Sequence, residues 1–181
     1  MDIREQLKDS ATNTNFGPII ETLLNREPAP LVPEAAWNKD LNEQIAQLKP
    51  QDGVDHTTWS TAVAGLYLWN DDIHKSHDIC QDLPSSTGSY WHAIMHRREP
   101  DYPNSKYWFR KVDTHPVYSK VREEVLKLTV NDDTLLNAIQ EEWDSYAFVD
   151  SCEQKADMEF LQAVQELEIV LLLTDCLESF K

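Results

Sequence analysis

Ser89-Tyr90-Trp91-His92-Ala93-Ile94-Met95-His96-Arg97-Arg98, followed by Glu99-Pro100-Asp101-Tyr102-Pro103 and Asn104-Ser105-Lys106-Tyr107-Trp108-Phe109-Arg110-Lys111-Val112, is the stretch on which the fold turns. Trp91, Ile94 and Met95 recur at spacings of three and one, placing them on one side of a helix of period 3.6. Pro100 and Pro103 each disfavour helical geometry in the residue before them, so the helix ends there. Pro103 then suits the first turn of a second helix, because that position has no intrahelical use for an N–H. The stretch therefore predicts two helices joined by a short, sharp connection.

Working outward, the same period recurs. Trp37, Leu41, Ile45 and Leu48 mark a helix closed by Pro50. Asp55-His56-Thr57-Thr58 offers N-caps for a helix from about Thr58 to Cys80, with Asn70-Asp71-Asp72 as a point where it would split in two. Short helices are expected around Ile3 to Leu7 and Ile19 to Leu24. A strap through Pro28, Pro30 and Pro33 is too proline-dense for a helix interior. Beyond Pro116 the pattern predicts helices near Tyr118 to Leu128, from Asp132 or Asp133 to about Asp150, and from Met158 to Leu177. In the last of these, Leu161, Val164, Leu167, Leu171 and Thr174 form the inward stripe. No segment sustains a strand alternation. The expectation is an all-α fold, a single compact domain over 1–181 of roughly seven helices with short connections. Within it, 1–33 holds the N-terminal helices and strap, 58–112 the site-bearing helices and 117–181 the acidic C-terminal helices.

Charge and cysteine usage narrow the partners. A formal net charge of -16 argues against nucleic acid and anionic membrane surfaces. Between His92 and Val112, however, five cations (Arg97, Arg98, Lys106, Arg110, Lys111) meet two anions (Glu99, Asp101), a local +3, whereas Glu123 to Lys181 carries fifteen carboxylates against three lysines, a local -12. Such a basic island either attracts a small anion or pairs with the acidic half. Cys80, Cys152 and Cys176 form no CxxC pair and are odd in number, which predicts reduced thiols and no cysteine zinc site. With no basic-then-apolar order after Met1 and no long apolar run, the expected location is cytoplasmic, with no membrane partner. A homo-oligomer is compatible with all of this.

Four of the six histidines, His74, His77, His92 and His96, fall within 23 residues. His74 and His77 are three apart, His92 and His96 four apart, so each pair shares a helix face. If the two helices pack antiparallel across Pro84 to Gly88, the imidazoles converge, and Asp71, Asp72 or Glu99 would complete a site for a divalent transition metal. The leading expectation needs no cofactor. In it His92 and His96 act as proton donor or acceptor, and His77, Arg97, Arg98, Asn104, Lys106, Tyr107 and Arg110 bind a small anionic or polar ligand in one cavity. A third reading is a non-enzymatic interaction module presenting Tyr102, Tyr107 and Trp108. Asp150 and Glu153, three apart, are placed to face the basic island. No GxGxxG, P-loop, GxSxG or HExxH pattern is present, which disfavours nucleotide-fold enzymes and the common hydrolases.

Gly88 to Tyr102, then Asn104 to Val112 with His115-Pro116, and Trp143 to Asp150 with Cys152-Glu153, resemble a motif shared by a group of uncharacterised small helical microbial proteins. The resemblance covers about a third of the chain. It implies no activity, and bears only on which segment to inspect.

Overall fold

The computed structural model describes residues 2–128, 133–155 and 157–180. Among them the chain forms α1 (Ile3–Ala11), α2 (Gly17–Leu24), α3 (Lys39–Gln47), α4 (His56–Trp69), α5 (Ile73–Cys80), α6 (Ser86–Arg98), α7 (Tyr102–Val112), α8 (Val117–Val125), α9 (Asp133–Ala138), α10 (Ser145–Gln154) and α11 (Met158–Glu178). The all-α class stands, but the described residues hold eleven helices where roughly seven were expected, and two of the additional ones arise because long periodic segments are cut. Asp71 adopts φ 64°, a left-handed conformation that cannot continue a helix. Asp72 then caps the next one by accepting from the Lys75 N–H. Asp144 likewise starts a fresh helix at Ser145. Of the two helix starts expected at Asp132 or Asp133, Asp132 lies outside the described residues.

The helix caps follow the sequence closely. Asp2, Asn38, Asp55, Ser85, Asp101 and Asp157 each accept a backbone N–H of the first turn, and Pro103 occupies the first turn of α7 as its fixed φ favours. No helix among the described residues is long and apolar enough to cross a membrane.

The 21-residue α11 runs through the interior against α1, α4 and α8. Of the expected stripe, Leu161, Val164, Leu171 and Thr174 are buried and Leu167 is only partly covered, and the polar Gln165 and Glu168 are buried alongside them. α4, α5, α6 and α7 pack consecutively, each on the next, with short connections between them. α4 and α6 approach closely at Gly65, where an added Cβ would lie 2.6 Å from Cζ2 of Trp91.

Two charged knots lie inside this packing. At the break after α4, the Asp71 carboxylate receives Arg26 Nη2 at 2.6 Å and also pairs with Arg98, and both arginines donate further to the carbonyls of Trp69 and Leu68 respectively. Arg98 also donates to Pro30 O at 3.0 Å, which pulls the strap down. Deeper, Glu168 accepts from Arg97 Nη2 at 2.6 Å and from the Tyr90 hydroxyl at 2.9 Å. Removing one side of a buried pair strands a charge in a medium that solvates it poorly. Asp71→Ala is therefore expected to lower unfolding stability in urea by about 3–5 kcal/mol, with the loss read from the denaturation midpoint at an unchanged slope.

Candidate metal centre

Arg97 and Arg98 are both buried and tied to carboxylates on one side of α6, so helix geometry turns His92 and His96, four residues apart, to another. α5 packs against that face and brings His77 over it. Donor atoms of His77, His92 and His96 all lie within 4.8 Å of one another. The rings of His92 and His96 stack at 4.8 Å, and His77 stands edge-on to both at 4.9 and 5.6 Å. On its other face His92 stacks on Trp108 of α7 at 3.9 Å.

The three imidazoles are not equivalent. His92 is buried, and neither of its ring nitrogens has a hydrogen-bond partner. A neutral imidazole shut away from water ordinarily satisfies at least its N–H, and leaving both nitrogens unmet costs about 1–3 kcal/mol each. Burial holds the His92 imidazole down to about 3, and His96 and His77 push in the same direction, since each would repel a charged neighbour. His96 is also lowered, first by burial, against the pull of Glu99 and Asp101. Its Nδ1 lies 3.3 Å from Glu99 Oε2 and its Nε2 3.1 Å from the Asn104 amide nitrogen. A carboxylate on Nδ1 fixes the N–H there and leaves the Nε2 lone pair available, an arrangement that raises the basicity of a metal-binding imidazole. His77 is half-buried and forms the solvent side of the cluster.

The remaining expected site residues part company. His74 points to solvent and is not in the cluster. Of the acids that were to complete the site, Glu99 reaches a histidine, whereas Asp71 is taken by arginines and Asp72 caps α5 and accepts from Asn42 Nδ2 at 2.6 Å. Arg97 and Arg98 were expected as ligands for an anion beside the histidines, but internal carboxylates already hold them. Lys106 pairs with Asp150 of α10, and Arg110 is exposed, 5.6 Å from the Tyr107 ring. Asn104 and Trp108, four apart, are the α7 residues that meet the histidines, and Lys106 and Arg110 are rotated off that face by the helical period. Tyr107 is exposed, while Tyr102 and Trp108 are partly covered, so the three rings do not form one bare patch. Two of the five cations of the basic island, Arg97 and Lys106, thus pair with the acidic half of the chain and a third, Arg98, pairs with Asp71.

A depressed histidine pKa has a definite sign in stability. Above its unfolded value of about 6.5 His92 is neutral in both states and its contribution is complete. Between that value and about 3 the unfolded chain takes up a proton that the folded chain resists, so stability falls as pH falls. Urea midpoints are expected to drop between pH 7 and pH 4, and the drop is expected to be shallower in His92→Gln.

Comparison with family models, with curated proteins and with solved structures finds no match to this chain, so the geometry of the three histidines carries the functional argument by itself.

Proposed function

We propose that the protein binds a divalent transition metal through His77, His92 and His96 and uses it in a metal-dependent reaction on a small molecule. The observation that carries this is His92, a buried imidazole with two unpartnered nitrogens, held neutral and within 4.8 Å of two further imidazole donors. Three nitrogen donors without a thiolate suit zinc, copper, nickel or ferrous iron. Ligands about 2.0–2.1 Å from a tetrahedral metal sit roughly 3.3 Å apart, so the donors close inward on binding by side-chain rotation. The Asn104 amide is the group a metal displaces from Nε2 of His96. A metal held by three imidazoles with a coordination position open toward the His77 side would act as a Lewis acid on a water or a carbonyl. Trp108 stacked on His92 keeps solvent from the inner face, and Glu99 orients His96.

Acid or base work by His92 alone fits less well. A group pushed to about 3 stays unprotonated at neutral pH, and its burial separates it from a proton source.

Chelated protein titrated with zinc or cobalt is expected to bind one equivalent, with cobalt giving the visible absorption of a nitrogen-ligated tetrahedral centre. At a free metal concentration of about 100 times Kd the fold gains ~2.7 kcal/mol, which raises Tm by roughly 5–10 °C for a chain of this size. His92→Ala should abolish the effect, Glu99→Gln should weaken binding by about 10–100-fold, and His74→Ala should change nothing. Absence of any stoichiometric metal, or an unchanged titration in His92→Ala, would overturn the assignment.

A further inference from the structure

Away from the histidines, a cavity of about 140 Å³ opens where the proline strap, α6, α7, α10 and α11 meet. Its wall includes Arg97, Gln165, Leu31, Val32, Cys152 and Met158, none of which belongs to the histidine cluster. Two of these residues are buried polar groups with unfinished hydrogen bonding. Arg97 spends Nη2 on Glu168, but its Nε and Nη1 have no partner. Gln165 commits its amide nitrogen to the carbonyls of Ala29 at 3.3 Å and Pro30 at 3.2 Å, which leaves Oε1 as an acceptor without a donor. Buried donors and acceptors left in this state cost about 1–3 kcal/mol each, so something that completes them binds with that advantage.

Charge decides what that something is. The guanidinium of Arg97 is balanced by Glu168, and both side chains are closed to solvent. The other cation of the wall, Lys155, is exposed, so a carboxylate entering beside Arg97 and Glu168 would put a second anion on one buried cation, a net buried charge that costs several kcal/mol. A neutral head group that offers an oxygen to Arg97 and an N–H to Gln165 meets both needs without that cost. Leu31, Val32, Cys152 and Met158 give the wall an apolar stretch suited to a short aliphatic stem, with Val32 and Met158 at the exposed end, beside the polar side chains of Tyr102, Gln162 and Lys155. We propose that this cavity binds a small neutral molecule with a carboxamide or urea-like head and a short apolar stem.

The test uses the full chain and butyramide, with butyrate and butanol as comparators, followed by the amide resonances of nitrogen-15-labelled protein. Butyramide is expected to give saturable shifts in the Gln165 side-chain amide and the strap, with a millimolar Kd, and butyrate to bind at least about tenfold more weakly. Val32→Trp places bulk over the mouth at an exposed position and should remove binding while leaving the fold and metal uptake intact. Gln165→Leu should weaken butyramide more than butanol. Butyrate binding as well as butyramide, binding that persists in Val32→Trp, or no saturable shift at roughly 50 mM ligand would overturn the proposal. Because metal uptake is read separately, failure here leaves the histidine site untouched, and the converse also holds.

Discussion

Asp71 held between Arg26 and Arg98 is the interaction on which the rest of the arrangement depends. It sits in a left-handed conformation at the end of α4, and that conformation is what allows α5 to leave in a new direction and lie across α6. Its two arginines come from the end of α2 and the end of α6, so one carboxylate ties three parts of the chain that are distant in sequence. With Arg97 drawn to Glu168 next door, the rotation of α6 about its own axis is fixed from two anchors. His92 and His96 then have only one face left to occupy, and α5 supplies His77 opposite them. The charged knots are the frame of the site rather than its chemistry.

Much of the fold was readable because helix starts are local events. Asp55, Ser85, Asp101 and Asp157 announce caps from their own short side chains, and the prolines mark where helices cannot run. The cut after Trp69 was legible only as an alternative, at Asn70-Asp71-Asp72, and the cut before Ser145 was not legible. Apolar periodicity continues through Ile73 and Cys80 as though one helix spanned it, and only the buried pairing of Asp71 makes a left-handed residue stable there. The stripe of α11 held at Leu161, Val164, Leu171 and Thr174, but the burial of two polar residues beside it was not legible, for a related reason. Gln165 and Glu168 look like solvent-facing residues, yet they are buried because Arg97, Tyr90 and the strap carbonyls meet them from elsewhere in the chain. A carboxylate seven residues after Leu161 and four after Val164, on the same face, was the signal that could have shown it.

Three of the four histidines expected to converge do so, since His92 and His96 share a face by helix geometry alone and the short connection between Cys80 and Ser86 brings α6 beside α5. What spacing did not show was the fate of the cations around it. Each long basic side chain reaches several ångströms from its backbone, so its partner is set by tertiary packing. Arg97 and Arg98 turn inward, Lys106 turns to α10, and Asn104 with Trp108 takes the place beside the imidazoles.

The strap through Pro28, Pro30 and Pro33 has a consequence of its own. Its hold on the core runs through main-chain oxygens, with Pro30 O receiving both Arg98 and Gln165 and Ala29 O receiving Gln165 again. Recognition by carbonyls reads the path of a chain and not the identity of its side groups, and proline, lacking an N–H, presents such oxygens without a competing donor. This hold is therefore indifferent to which side chains the strap carries at Ala29 and Pro30, whereas shortening the strap by a single residue would shift those oxygens out of reach.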